Sequence, residues 1–198
     1  MLKQTMKTMA AVGAAITFSG CGSPPPDPVQ EAQRIYALGT AEKWPDTMAP
    51  AKQYALAYPE YTGAHYLLGK AYLHRAEPHL VQAEGELKTA QALLARTARL
   101  DGVPWTESKD QYALAIHRDL ALVDFRWIRE AMRFRLPVNE IRDKLLEAKA
   151  EVEAGLKLDP KDSFLGEMKT TVDEYLTGPF KATDTPAPAQ ASPVAAAR

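Results

Sequence analysis

The 198-residue chain has a single cysteine, Cys21, so no disulfide can close within it. Glycine is sparse, at 11 residues, and long runs of β-branched residues are missing, which argues against an all-β fold. No sign of charge dominates. With 24 basic and 25 acidic residues the formal net charge is −1, and a nearly neutral chain offers nucleic acid no general phosphate attraction. The motifs of common chemistries are missing too: there is no Gly-x-Ser-x-Gly elbow, no phosphate loop and no dinucleotide fingerprint. Of the four histidines, His74 and His79 lie near Glu77, but Pro78 separates them and the zincin spacing is not met, so they read as a solvated helix end. The pairs Glu84/Glu86 and Glu151/Glu153 are two apart on helical stretches and point to different faces, whereas paired acid–base work needs convergent carboxylates. The expectation is a protein that is not an enzyme and holds neither cofactor nor metal.

What is present begins with an address. Lys3 and Lys7 give a positive start, and Met9 to Phe18 is an apolar core too short to span a bilayer. Ser19-Gly20 then precedes Cys21, which resembles the bacterial lipobox, although Phe18 stands where that pattern usually has Leu. The resemblance implies removal of residues 1–20 and acylation of Cys21, with several acyl chains anchoring the mature protein to a membrane. An incidental thiol after an ordinary secretory signal is the alternative. By resemblance to Gram-negative sorting rules, Gly22 after the cysteine implies the periplasmic face of the outer membrane. Residues 21–27 read as a lipidated, Pro-rich tether, and 179–198 as a disordered Pro/Ala-rich tail.

Between residues 28 and 178 apolar residues recur at three and four, which predicts seven helices with short connections and an all-α domain of antiparallel hairpins. The first runs from Pro28 to Glu42, and the second is capped by Asp46 and reaches Tyr58. The third spans Thr62 to Ala76, before Pro78 forces a break, and the fourth runs from Pro78 to Leu100. Asp101 to Pro104 is a turn, and Ser108 with Gln111 forms a capping box that opens the longest helix, to about Arg135. Pro137 starts the sixth helix, ending at Leu156-Lys-Leu-Asp-Pro160, and a seventh carries Leu165, Met168, Val172, Tyr175 and Leu176 up to Gly178.

Two fragments of this body resemble tetratricopeptide repeats. His65-Tyr-Leu-Leu68-Gly69-Lys-Ala-Tyr72 is similar to the first-helix signature, with His65 in place of the usual Trp. Ala148 and Val152, followed by Gly155-Leu-Lys-Leu-Asp-Pro160, look like a second helix and its terminator. Thr47 and Ala51 depart from the pattern, and the helices between residues 78 and 137 are too long for it. The resemblance implies a right-handed α-solenoid whose concave face binds extended peptides or partner helices, with no catalysis.

Two features could contact a partner. Tyr58, Tyr61 and Tyr66 cluster about the first repeat-like fragment, and tyrosine suits surfaces that need an apolar body and a polar tip. Arg126, Arg129 and Arg133 line one helix face, fit to grip an acidic segment, an anionic headgroup or a carboxylate; Asp124 and Glu130 lie near enough in sequence to pair with them and leave only a solvated face. The expected function is a lipid-anchored periplasmic scaffold for a protein of an envelope assembly or secretion machine. The alternative is an accessory to solute transport whose helical stack encloses a ligand cavity.

Overall fold

The computed structural model describes residues 27–40, 43–97 and 108–181. Among them are seven α-helices and no strand: α1 (Pro28–Thr40), α2 (Trp44–Ala57), α3 (Thr62–Leu73), α4 (Leu80–Arg96), α5 (Lys109–Arg133), α6 (Val138–Leu158) and α7 (Ser163–Thr177). The all-α expectation holds. The leader, Cys21, most of the tether, the turn at 101–104 and the tail beyond Lys181 lie outside the described residues.

Local chemistry explains most of the helix ends. Ser108 is the N-cap of α5, its side chain accepting a hydrogen bond from the Gln111 amide at 3.1 Å, half of the expected capping box. Asp162 does the same for α7, accepting from the Leu165 amide at 3.0 Å. Asp46 is not the cap of α2: the helix opens at Trp44, with Pro45 in its first turn where a missing N–H costs nothing, and Asp46 is carried inside that turn. The third helix stops at Leu73 rather than Ala76, and α4 starts at Leu80 rather than Pro78, so residues 74–79 form the connection. At the end of α5, Arg135 adopts a left-handed conformation (φ 55°). The Leu136 amide bonds the Ala131 carbonyl at 2.9 Å and the Arg135 amide that of Met132 at 3.2 Å, a Schellman motif closed by arginine where glycine is usual.

Each helix packs on the next in the chain, and the odd-numbered helices also pack in order, α1 on α3, α3 on α5 and α5 on α7. The core follows that order as four apolar clusters. Ile35, Tyr54 and Leu67 anchor the first, Leu87, Tyr112 and Ile116 the second, Val152 and Leu165 the third, and Ile128, Leu145 and Val172 the fourth. The narrow apolar stripes expected from the sequence become the buried faces of α4 (Ala83, Leu87, Ala90, Leu94) and α6 (Ile141, Leu145, Ala148, Val152). Gly155 allows close approach of α6 and α7, since a Cβ there would overlap Leu165 Cδ1.

The domain does not end at Gly178. Phe180 is buried in the fourth cluster, its ring meeting Tyr175 edge-on at 6.0 Å, and its amide bonds the Tyr175 carbonyl at 3.0 Å. The expected boundary after residue 178 missed it because a lone aromatic beyond a Gly-Pro break carries no periodicity.

Candidate functional site

One cavity, of about 370 Å³, is lined by side chains from all four odd-numbered helices: Tyr36 of α1, Tyr66 and Lys70 of α3, Ala115, Arg118, Asp119 and Leu122 of α5, and Phe164 of α7. The residues of α5 recur at three, four and seven, the spacing that puts them on one face. Asp119 is buried, and its Oδ2 lies 3.2 Å from Lys70 Nζ. That ammonium also stands over the rings of Tyr66 (5.4 Å) and Trp44 (5.8 Å), each adding cation–π attraction. Burial, then the charge of Asp119 and a hydrogen bond to it, hold the Tyr66 phenol well above its ordinary pKa, so it stays neutral. Across the cavity Arg118 Nε lies 3.1 Å from Asp162 Oδ2, and its guanidinium covers the Phe164 ring at 5.6 Å. The walls are thus polar and aromatic, and paired side chains hold them in place.

The expected tyrosines do not form one surface. Tyr58 and Tyr61 stack on each other at 5.2 Å, half-buried against the first core cluster, and brace the turn between α2 and α3. Tyr66 keeps only 2% of its surface, packed edge-on to Tyr112 at 5.1 Å, so as an open groove contact it is corrected to part of the cavity floor. The signal missed was on α5: Arg118 and Asp119 look like ordinary surface charges until α3 and α7 are placed beside them.

The arginines do come together, at the other end of α3 from Tyr61. Arg126, Arg129 and Arg133 join Arg75, Ala76, Pro78, Leu80 and Glu130 around a second cavity of about 440 Å³. Arg126 donates from Nη1 to the Leu73 carbonyl at the end of α3, and burial, then the nearby charge of Arg129, lower its pKa. Asp124 does not pair with this strip. It is buried at the α5–α6 contact, with Oδ1 2.8 Å from Lys144 Nζ.

Glu84, Asp124 and Glu147 bring three carboxylates to within 4.8 Å of one another. Lys144 Nζ lies 2.9, 2.8 and 2.8 Å from them, where a bound cation would sit, so the group ties α4, α5 and α6 together as an ion-pair hub. Lys88 Nζ also lies 2.6 Å from Glu84 and 3.9 Å from Glu147, so three carboxylates share two ammonium groups and one negative charge is in surplus. It falls on the most buried of them, and burial pushes the Asp124 carboxyl up to about 7.

Two further histidines bridge helices. His65 Nδ1 lies 2.7 Å from Glu86 and its Nε2 2.8 Å from the Pro59 carbonyl, and the bond to Glu86 raises its pKa despite partial burial. His117 Nδ1 lies 2.7 Å from Glu151 of α6. The expected solvated pair is divided: His79 is exposed, whereas His74 stacks on Trp44 at 4.7 Å, and burial lowers its pKa.

No protein-family model matches the chain, and no curated protein or solved structure is detectably similar to it. No described helix is long and apolar enough to cross a membrane.

Proposed function

We propose that the chain is a lipid-anchored adaptor at the periplasmic face of the outer membrane. In this reading its tetratricopeptide-like stack captures a segment of an envelope protein in the cavity of the odd-numbered helices. The observation that carries the reading is that cavity, to which α1, α3, α5 and α7 all contribute. A solenoid built of antiparallel hairpins places alternate helices in one layer, and the contact order α1–α3–α5–α7 is what such a layer needs. Resemblance to a lipobox at Cys21 supplies the anchor.

Capture would use Lys70, Asp119 and Arg118 to fix the register of an extended or helical peptide carrying both charges. Tyr36, Leu122 and Phe164 would cover its apolar side chains. The same lining disfavours the transport reading, because an apolar solute would leave three charged groups facing it.

The test is photocrosslinking in intact cells from a crosslinking residue placed at Ala115. One dominant envelope protein, lost in the Lys70→Glu/Arg118→Glu variant, supports the adaptor. No adduct at Ala115, or an adduct unchanged in that variant, overturns it. Cys21→Ala is expected to release the protein into the soluble periplasmic fraction, and a variant that still sediments with membranes overturns the anchor.

A further inference from the structure

We propose that the arginine-lined cavity between the α3–α4 connection and the second half of α5 binds a ligand carrying two phosphomonoester groups. Arg75, Arg126, Arg129 and Arg133 face one volume of about 440 Å³ in which Glu130 is the single acidic group. Four arginines against one glutamate leave three positive charges in excess. A phosphomonoester carries about −1.5 to −2 at neutral pH, so two of them balance the lining.

The surroundings set this cluster apart from the rest of the surface. Arg34, Lys88, Arg118, Lys149 and Lys169 each lie against a carboxylate. Among the described residues no carboxylate forms an ion pair with any of the four cavity arginines. Three of the four are spaced at three and four along α5, where like charges oppose the helix, so their convergence carries a cost that an anion would remove. Arg126 is held at the Leu73 carbonyl, which fixes one guanidinium before any ligand arrives. Guanidinium forks match phosphate oxygens in pairs, and four of them converging suit a ligand with several such oxygens. A neighbouring cavity of about 410 Å³ shares Pro78, Leu80 and Glu130 and adds His79, Val81, Gln82 and Trp127, a mixed polar and apolar surface beside the arginines for the body of the ligand.

The experiment is titration calorimetry of the full chain with soluble inositol bisphosphate, with inositol monophosphate and sulfate at matched ionic strength as comparisons. Saturable binding is expected, with the monophosphate and sulfate weaker by at least about tenfold. Arg129→Gln/Arg133→Gln should weaken the bisphosphate by a similar factor of at least about ten while the unliganded melting temperature holds or rises, because like-charge repulsion is removed. A purely structural role for these arginines would instead lower that temperature. Sedimentation of the Cys21→Ala protein, which has no acyl anchor, with phosphatidylcholine vesicles, with and without phosphatidylinositol bisphosphate, separates the sources. Binding only to the charged vesicles, displaced by the soluble compound, assigns a lipid headgroup, whereas binding of the soluble compound alone assigns a free ligand. No saturable heat with the bisphosphate, equal binding of the monophosphate, or unchanged binding by the double variant would overturn the proposal.

Discussion

Asp124 is the residue whose behaviour departs furthest from what its sequence neighbourhood suggests. Its carboxyl is pushed up to about 7, from an ordinary value of 3.8, because burial outweighs the attraction of Lys144. A folded-state pKa above the unfolded one gives stability that is present below about pH 4 and is lost as pH rises through 7. Wild type should therefore lose about 2–4 kcal/mol relative to Asp124→Asn between pH 4 and pH 8, read from urea unfolding of both proteins. An unchanged gap between the two pH values would show an ordinary ionised carboxylate. Nothing in the sequence announced this, since Asp124, Lys144 and Glu84 meet only through the packing of three helices. The Ser108 cap, in contrast, was legible because donor and acceptor are three residues apart.

At the scale of the element, two substitutions separate backbone from packing. Arg135 sits in the left-handed region that closes the Schellman motif, where a side chain costs about 1 kcal/mol. Arg135→Gly should raise stability by roughly that amount, seen as a higher urea midpoint with unchanged slope. Gly155→Ala should cost about 1–3 kcal/mol, because its Cβ overlaps Leu165 between α6 and α7. Gly85→Ala is the contrast: nothing lies within 4 Å of a Cβ there, and removing a mid-helix glycine should stabilise by about 0.5–1 kcal/mol. Equal effects of the two alanines would place the cost in propensity rather than in the helix contact. The seams on α4 and α6 were readable because each helix buries a single narrow stripe. Helix ends were less so: Leu73 and Leu80 end their helices where the α3–α4 connection has to turn back on itself, a demand local preference does not contain.

For the whole molecule, the fourth core cluster decides where the domain stops. Phe180→Ala should cost about 3 kcal/mol in urea unfolding, and removing the chain from Pro179 onward should cost as much. A cost near zero would return the boundary to Gly178. Stability at this scale is shared among four clusters strung along the helix order, so loss of Phe180 should weaken the last of them most.

By itself the sequence determined the seven helices and the buried stripes of α4 and α6, because helical periodicity acts within a few residues. It also placed Arg126, Arg129 and Arg133 on one face of α5, which spacing alone dictates. Only the tertiary structure brought Arg75 to that strip, buried Tyr66 under Tyr112, sank Asp124 beside Lys144 and assembled a cavity from four helices. These arrangements bring together residues 20 to 128 positions apart in the chain, the widest being Tyr36 and Phe164 on the walls of one cavity. The order in which helices stack fixes them, and that order is set by how apolar stripes fit one another rather than by any local pattern.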